Sequence, residues 1–374
     1  MPVRVLHVCQ PTTAGTARVV AELASHQVDR GWSVTVASPE GGDLSASCLR
    51  AGAHHRLWEA RREPGPQVLN ECRALARIVR DVRPEVVHLH SSKAGLAGRL
   101  TVRGRIPTAF QPHAWSFCAS TGLVGRAVLV WERLGARWTD AYVCVSEDEA
   151  SAGRRAGLRG RWEIAPNGTD VSQPPVSPDE RYRVREELEL PGGLLVVCLG
   201  RIAEQKGQDL LLAAWPEVLA DVPDASLALV GDGPALEGLR GEAKESVLFT
   251  GHREDAGQWL AAADLVVVPS RWEGASLSLL EAMAAARCIV ASAAAGAAEV
   301  LGRPESIVPV EDIVALRRAI VERLRDSSLR EREALENRRR VERIYDLRKT
   351  LGRYEHIYAT LIAPRERAMS APEL

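Results

Sequence analysis

The chain has 374 residues and a formal net charge of −1 at neutral pH, because 48 basic side chains nearly balance 49 acidic ones. This length is typical of two domains, and the balanced charge gives no general electrostatic attraction to nucleic acid. The seven cysteines show no zinc-binding spacing, and no apolar stretch reaches the roughly eighteen residues of a membrane span. We therefore expect a soluble cytoplasmic protein with reduced cysteines and no bound metal.

Short apolar runs rich in Val, Ile and Leu alternate with segments of helical period, which is typical of a parallel α/β sheet. The strands predicted in the first half are Val3–Cys9, Ser33–Ser38, Val86–His90, Thr108–Pro112, Ala141–Ser146 and Trp162–Ala165. The helices predicted between them include Thr16–Arg30, Gln67–Val82, Val124–Ala136 and Glu147–Ala156.

A segment rich in proline and glycine, Asn167–Gly193, interrupts this alternation and contains one short charged helix. The alternation then restarts with predicted strands at Leu194–Gly200, Ser226–Val230, Val247–Gly251, Leu265–Pro269 and Cys288–Ser292. Among the predicted helices, three begin at Gly207, Pro234 and Leu277 and one ends at Ala262. A charged helical tail covers about Asp312–Ile362.

The two runs of strands and helices predict two doubly wound α/β domains. We assign residues 1–170 to an N-terminal Rossmann-like domain, 171–192 to a linker, 193–345 to a C-terminal Rossmann-like domain, and 346–374 to a helical tail that packs back on the N-terminal domain. Open parallel sheets bind ligands outside the carboxyl ends of their strands. Residues at those strand ends are therefore the candidates for a functional site.

Two cations follow the first strand of the C-terminal domain, in the sequence G-R-I-A-E-Q-K-G. Gly200-Arg201 ends the strand and Lys206 precedes the next helix. A guanidinium and an ammonium at the mouth of a sheet suit the binding of a diphosphate. Two solvated surface cations would give the same pattern.

Two glutamates, Glu273 and Glu281, enclose a glycine-containing loop and the start of a helix. The backbone N–H groups of Ala275, Ser276 and Leu277 lie at the helix N-terminus, where they can bind phosphate. Glu273 could reach a sugar hydroxyl beside that phosphate, and Glu281 could accept hydrogen bonds from a ribose diol. A capping carboxylate and an ordinary surface glutamate are the alternative.

The order of these motifs is more informative than any one of them. G-R-x4-K-G is followed by V-G-D-G-P at Val230–Pro234, by E-x7-E, by E-A-M-A at Glu281–Ala284 and by the turn Ala291–Glu299. This combination resembles glycosyltransferase family 4, whose members are retaining enzymes that use nucleotide-diphospho-sugars. The resemblance implies the GT-B fold, in which two Rossmann-like doubly wound domains face a central cleft.

The resemblance also implies roles for individual residues of the C-terminal domain. Arg201 and Lys206 would hold the diphosphate beside Gly200, Glu273 would contact the transferred sugar, and Glu281 would contact the ribose.

The nucleotide base would lie near His252 and Arg253, at the end of another strand. Two positions nearby depart from the family pattern. Ala275-Ser276 replaces the family's Phe-Pro or Phe-Gly, and Ala295 stands where the family usually has a glycine.

The first domain carries fewer signals. Val87–Arg99 and Thr108–Phe117 look like the H-S-S-K-A-G and T-x-H-G-W-S-F segments of family members that build bacterial exopolysaccharides. In the family, a histidine equivalent to His113 contributes to the sugar site; a core or capping histidine is the alternative. Ser92 and Lys93 follow a strand end, where they could bind a phosphate or carboxylate of the acceptor.

The loop after the first strand reads Q-P-T-T-A-G-T, and family members commonly carry G-G in it. Gly15 keeps one of those glycines and would let the donor phosphate approach the backbone, whereas Ala14 replaces the other. The loop lacks G-x-G-x-x-G, which argues against a dinucleotide-dependent oxidoreductase.

Two further features of the first domain have both a structural and a functional interpretation. Since His88 and His90 are taken to alternate along a strand, we expect at most one of them to point usefully outward. The amphipathic segment Val124–Trp138 would suit a lipid surface, but we expect it to pack on the sheet.

These assignments predict sugar transfer from a UDP- or GDP-sugar with retention of the anomeric configuration. Arg201, Lys206 and the helix N-terminus would stabilise the negative charge that develops on the leaving diphosphate. Glu273 and His113 would orient the sugar. Because no D-x-D motif ends a strand, we expect catalysis without a metal, and the nucleotide sugar is a substrate rather than a cofactor.

The acceptor stays open: a carbohydrate, a lipid-linked sugar and a small molecule all fit, in glycan, glycolipid or natural-product biosynthesis. Peripheral membrane attachment and oligomeric state also stay open. A nucleotide-sugar 2-epimerase of the same fold and a catalytically silent nucleotide-binding paralogue are the alternatives. A composition rich in Ala, Arg, Val and Gly indicates a GC-rich bacterial genome.

Overall fold

The computed structural model describes residues 2–62, 65–120, 122–242 and 246–363, and the chain divides into two compact units. The first unit comprises the chain up to Ala165 together with the segment from Leu351 onward, and the second comprises Pro166–Thr350. Each unit contains a parallel sheet with helices packed against it. The predicted class, a doubly wound α/β protein, is confirmed.

In the part of the first unit that the structure describes, seven strands pair in the order β3-β2-β1-β4-β5-β6-β7. These strands are β1 Arg4–Cys9, β2 Ser33–Ser38, β3 His54–Leu57, β4 Val86–His90, β5 Thr108–Gln111, β6 Ala141–Cys144 and β7 Arg161–Ile164. The helices are α1 Ala14–Asp29, α2 Leu44–Arg50, α3 Val68–Val82, α4 Ser91–Val102, α5 Ser116–Ala119, α6 Gly122–Gly135 and α7 Glu147–Arg155. A 3₁₀ turn at Ala136–Trp138 directly follows α6.

The second unit begins with α8, Pro178–Glu187, and its sheet has the order β10-β9-β8-β11-β12-β13. The strands are β8 Leu194–Leu199, β9 Ala225–Val230, β10 Val247–Gly251, β11 Leu265–Val268, β12 Cys288–Ser292 and β13 Ile307–Val308. The helices are α9 Gln208–Asp221, α10 Leu236–Glu242, α11 Ala256–Ala262, α12 Leu277–Ala284, α13 Ala297–Leu301, α14 Ile313–Arg325 and α15 Ser327–Ile344, with 3₁₀ turns at Glu204–Lys206 and Pro304–Ser306. Helix α16, Leu347–Ile362, starts in the second unit, and its residues from Leu351 onward belong to the first.

The apolar strands are buried on both faces of the sheet. In β8, Leu195 and Val197 pack into one hydrophobic cluster, while Val196 and Cys198 pack into the cluster on the opposite face. A strand covered on both sides needs an uninterrupted apolar run, which is the pattern seen in the sequence. In each sheet the strand order reverses beside the first strand, between β1 and β4 and between β8 and β11. Such a reversal opens a crevice at the carboxyl ends of the two strands.

Some elements carry weak sequence signals and are absent from the prediction. Strand β3 has the sequence H-H-R-L with no buried residue, and β13 has two residues. The short charged helix predicted within the linker segment is present as α8. Its Val184 packs against the core of the second unit, as does Leu188 after it. The charged tail comprises α14, α15 and α16.

Helix α6 does not pack on the sheet as expected. Four of its large apolar side chains are exposed, from 82% for Leu123 to 46% for Leu134, whereas Val128, Leu129 and Trp131 are partly buried. Its buried residues are Glu132 and Gly135. Glu132 forms a buried ion pair with Arg99 of α4 at 2.9 Å. The amphipathic pattern correctly gives α6 two faces. The inner face includes the ion pair of Glu132 with Arg99, and the outer face exposes Leu123, Val130 and Leu134. None of the helices among the described residues is long and apolar enough to cross a membrane.

Candidate functional site

Lys206 and Glu273 meet at the strand-order reversal of the second sheet. Lys206 follows β8 and Glu273 follows β11, and their Nζ and Oε1 atoms are 2.5 Å apart although the residues are 67 positions apart in the chain. Ser270 Oγ donates to the same Glu273 oxygen at 2.7 Å. The fold therefore brings together two residues that the sequence analysis assigns to one site.

Arg201 belongs to the same polar group through Gln205. Arg201 Nη2 donates to Gln205 Oε1 at 3.3 Å, and Gln205 Nε2 donates to the carbonyl oxygen of Trp272 at 3.0 Å. The side chain of Lys206 passes beside Gly200. Gln205 is not among the residues predicted from the sequence, although its position between Arg201 and Lys206 in the motif was a usable signal.

Two glycines allow the backbones of neighbouring strand ends to approach closely. Gly207 has φ +68°, and a Cβ atom built on it would overlap the carbonyl oxygen of Pro269 after β11. Gly231, after β9, has φ +143°, and its Cβ would overlap the carbonyl oxygen of Gly200. The G-R-x4-K-G and V-G-D-G-P motifs thus share a physical reason: any side chain at these two positions would push the loops apart.

The predicted base contacts, His252 and Arg253, follow β10, two strands away from β8. At the usual spacing of neighbouring strands, this distance is about 10 Å. Both side chains are exposed, and Arg253 forms hydrogen bonds to Asp255 at 2.7 and 2.6 Å. Gly251 is bonded to the next strand end, since its carbonyl oxygen accepts from Gly231 N at 2.9 Å.

Helix α12 begins directly after the loop that carries Glu273. Ser276 is the N-cap residue, but its Oγ contacts Ser278 Oγ at 2.9 Å instead of making a capping bond to the backbone of the first turn. Asn167 Nδ2 donates to the carbonyl oxygen of Ala275 at 3.0 Å and fixes the preceding residue. The N–H groups that begin with Leu277 thus have the geometry of an anion-binding helix end. Glu281 lies on this helix and is partly exposed.

Ala295 replaces a glycine of the family pattern without placing an alanine in a left-handed backbone conformation. The left-handed residue of that turn is Gly296, with φ +79°, and Gly296 is the N-cap of α13. Among the described residues, Ala14 has a left-handed backbone, with φ +61°, and Ala295 does not. Of the two family glycines that this chain replaces with alanine, the one at Ala14 therefore occupies a conformation that favours glycine. Gly15 is the second residue of α1.

In the first unit, His113 lies after β5 with φ +54°. Glu149 holds this loop, because its two carboxylate oxygens accept from Ala114 N at 2.7 Å and from Val145 N at 2.8 Å. Burial raises the pKa of Glu149 to about 7. Glu149 is not among the residues predicted from the sequence. Its signal was the S-x-x-E pattern at the start of α7, where Ser146 Oγ accepts from Glu149 N at 3.1 Å.

A chain of hydrogen bonds leads inward from His113. Its Nε2 lies 3.1 Å from His90 Nδ1, His90 Nε2 lies 3.0 Å from His7 Nδ1, and His7 Nε2 lies 2.8 Å from Gln27 Oε1. Burial lowers the pKa of His113 to about 3 and that of His7 to about 4. The imidazole of His113 is therefore neutral at physiological pH and hydrogen-bonded to the interior.

Two expectations for the first unit are wrong. His88 and His90 do not alternate: residues two apart on a strand share a face, and both rings are fully buried with centroids 3.9 Å apart. Lys93 is not placed to bind an acceptor anion, because it is buried against Glu71 of α3, with Nζ and Oε2 2.8 Å apart. Ser92 is partly exposed.

Comparison with known sequences connects both units to one class of enzyme. A profile described as Glycosyltransferase Family 4 matches residues 13–173, and a profile described as Glycosyl transferases group 1 matches residues 193–326. The chain is also 30% identical over 311 residues to the GDP-mannose-dependent alpha-(1-6)-phosphatidylinositol monomannoside mannosyltransferase of Mycobacterium tuberculosis, which covers 77% of this chain and 79% of that protein.

The protein of the same name from Mycolicibacterium smegmatis is 37% identical over 186 residues, or 46% of this chain. The chain spans about half the length of that relative, 49%. Among solved structures, Anabaena HepE in complex with UDP and glucose superposes with a TM-score of 0.83 at 18% identity, covering 96% of this chain and 100% of that one. The fold is therefore GT-B, and the chain belongs to glycosyltransferase family 4.

Proposed function

We propose that the protein transfers a sugar from a nucleoside-diphosphate sugar to an acceptor and retains the anomeric configuration. The observation that carries the proposal is the polar group of Arg201, Lys206 and Glu273 at the strand-order reversal of the second sheet. Two cations beside a helix N-terminus suit a diphosphate, and a carboxylate next to them suits sugar hydroxyls.

In the proposed reaction, the bond from the anomeric carbon to the β-phosphate oxygen breaks while the acceptor oxygen bonds to the same face of the sugar. The acceptor proton passes to the departing phosphate. Arg201, Lys206 and the N-terminus of α12 stabilise the charge that develops on the diphosphate. Glu273 orients the transferred sugar, Glu281 binds the ribose, and His252 and Arg253 lie on the side of the base. His113, which is neutral, contacts a sugar hydroxyl.

The relatives favour GDP-mannose as the donor to test first. The Mycobacterium tuberculosis and Mycolicibacterium smegmatis relatives are both named as GDP-mannose-dependent mannosyltransferases. These names also favour a transferase over a 2-epimerase of the same fold.

The donor proposal is tested by thermal unfolding of the purified protein with GDP-mannose and with UDP-, ADP- and dTDP-sugars. A ligand at a hundred times its dissociation constant stabilises the native state by about 2.7 kcal/mol. We expect this stabilisation with GDP-mannose, and we expect Lys206→Ala and Glu281→Ala to lose it while unfolding at nearly the same temperature as wild type without ligand. Lys349→Ala, a change at an exposed lysine of α16, is the matched control.

A sugar nucleotide that stabilises Lys206→Ala as strongly as wild type would remove the donor-site assignment. Binding of the donor without transfer to any glycolipid or glycan acceptor would favour the catalytically silent paralogue.

The proposed acceptor is a glycolipid at an anionic membrane surface. The exposed face of α6 combines Leu123, Val130 and Leu134 with arginines, and such a face suits the boundary between headgroups and acyl chains. Two relatives are named for phosphatidylinositol monomannosides, which are lipids of this kind.

Sedimentation with vesicles tests this surface. We expect the protein to pellet with vesicles containing phosphatidylinositol and much less with phosphatidylcholine vesicles, and we expect Leu123→Ser with Leu134→Ser to weaken pelleting several-fold. Leu69→Ser, at an equally exposed leucine of α3, is the control. Equal pelleting of the α6 double variant and the control would exclude this face.

We further propose that transfer requires no divalent metal at the diphosphate, because a guanidinium, an ammonium and a helix N-terminus supply the positive charge there. Turnover in EDTA tests this point. A sharp loss of rate that manganese or magnesium restores would contradict it.

A further inference from the structure

Three buried histidines lie together in the first unit. His7 is on β1, and His88 and His90 are on the adjacent strand β4, where His7 pairs in register with His88. Residues in register on neighbouring parallel strands share a face of the sheet, and so do residues two apart on one strand. All three imidazoles are fully buried on that face.

The ring nitrogens of these histidines converge. One nitrogen from each ring lies within 4.8 Å of one nitrogen from each of the other two. His7 Nδ1 and His90 Nε2 are 3.0 Å apart. Zinc–nitrogen bonds of about 2.0–2.1 Å in a tetrahedral site place ligand nitrogens roughly 3.3 Å apart, so small ring rotations suffice to bind an ion.

The other nitrogen of each ring has a partner on the outside of the cluster. His7 Nε2 lies 2.8 Å from Gln27 Oε1, His90 Nδ1 lies 3.1 Å from His113 Nε2, and His88 Nδ1 lies 2.5 Å from Tyr358 Oη. Metal-binding histidines are held in this way, with one nitrogen on the metal and the other hydrogen-bonded to a neighbouring group that fixes the ring.

The second ring nitrogen of His88 stands out. His88 Nε2 is buried and has no hydrogen-bond partner among the described residues. A buried polar atom without a partner is costly to the native state, and most such atoms in proteins are paired with protein or with an ordered group. An ion bound between the rings would satisfy this nitrogen.

We propose that His7, His88 and His90 bind one divalent transition-metal ion, with zinc the favoured ion, through His7 Nδ1, His88 Nε2 and His90 Nε2. Three imidazole ligands suit zinc and leave a fourth position for water. The ion ties β1 to β4, and through Gln27 and Tyr358 it connects the sheet to α1 and α16. The site is structural and is separate from the diphosphate chemistry, so it is compatible with transfer that needs no manganese or magnesium.

Metal analysis of the full-length protein without a histidine tag tests the proposal. After dialysis against zinc and then metal-free buffer, we expect about one zinc ion per chain and a higher unfolding temperature than for EDTA-treated protein. Cobalt in place of zinc is expected to give the visible absorption of a four-coordinate nitrogen site. No retained zinc, no cobalt spectrum and an unchanged unfolding temperature would overturn the proposal.

Two variants and one control assign the ion to these side chains. We expect His88→Gln to weaken zinc binding by roughly a hundred-fold or more, and Gln27→Leu, which alters only an outer partner, to weaken it by roughly ten- to a hundred-fold. His54→Gln, at an exposed histidine of β3, is expected to bind zinc like wild type. If His88→Gln does not fold, Gln27→Leu decides the matter. Wild-type affinity in a folded His88→Gln or in Gln27→Leu would exclude the site.

Discussion

The loops that follow β1 and β8 occupy the same topological position in their sheets and present opposite chemistry. The loop after β8 carries Arg201 and Lys206 and turns through Gly200 and Gly207. The loop after β1 has no cation and includes Ala14 in a left-handed conformation. The same strand-order reversal therefore carries a charged polar group in one unit and a neutral environment in the other.

The difference extends to the groups behind each loop. In the second unit, Lys206 and Glu273 are partly exposed and form an ion pair with each other. In the first unit, His90 and Glu149 are buried. Desolvation lowers the pKa of His90 and raises the pKa of Glu149, which favours the neutral form of each side chain. We therefore expect the second unit to be sensitive to changes that separate its loops, and the first unit to be sensitive to pH.

The largest effect is expected for Gly207→Ala. Its left-handed φ strains an alanine by about 1–2 kcal/mol, and the overlap of Cβ with Pro269 O adds about 1–3 kcal/mol. Gly251→Ala is the matched control, because Gly251 has the same φ of +68° and nothing within 4 Å of its Cβ. Denaturant unfolding should show a larger loss of stability for Gly207→Ala. Equal losses would mean that the loops after β8 and β11 do not need their close approach.

The second effect concerns Glu149. Its carboxyl keeps its proton in the folded protein up to about pH 7, whereas the pKa of an unperturbed glutamate is 4.5. The folded state therefore binds more protons in this range, and raising the pH destabilises it by about 3 kcal/mol between those two values.

Unfolding free energies of wild type and Glu149→Gln across this range measure the effect. Both proteins contain the same histidines, so the difference between their pH slopes isolates Glu149. We expect wild type to lose stability relative to the variant as the pH rises. Parallel pH profiles would show that the carboxyl ionises normally and that water reaches Glu149 in the folded protein.

The smallest effect is expected for Ala14→Gly, which relieves a left-handed alanine. We expect about 1 kcal/mol of stabilisation, or roughly 2–4 °C in the unfolding temperature of a unit of this size. Ala295→Gly is the control: the described left-handed residues do not include Ala295, so glycine there is expected to be neutral or slightly destabilising. Stabilisation of both variants alike would remove the distinction between the two replaced glycines.

Much of this comparison could be predicted from the sequence, and the rest depends on long-range contacts. The apolar runs predict the strands of both sheets, because a strand that is buried on two faces needs an uninterrupted run of residues such as Val, Ile and Leu. The motifs place Lys206 and Glu273 at strand ends. No spacing rule, however, shows that their side chains touch, since they reach each other across β8 and β11.

The errors have definite physical sources. Lys93 lies in a motif that suggests an exposed cation, but its partner Glu71 comes from a helix that the local sequence does not connect to it. The pattern of α6 defines two faces without indicating which one meets protein. The face shared by His88 and His90, by contrast, follows from the period of two in a strand and was available from the sequence alone.

A single amide oxygen sets the direction of the hydrogen bonds behind His113. Gln27 Oε1 can only accept, so His7 donates to it from Nε2 and accepts at Nδ1 from His90. His90 in turn accepts from His113 Nε2, which leaves His113 in the tautomer that carries a lone pair on Nδ1. A metal ion held by His7 and His90 reverses the last bond and moves the proton of His113 to Nδ1. Metal binding by His7 and His90 thus decides whether Nδ1 of His113 is a hydrogen-bond acceptor or a donor.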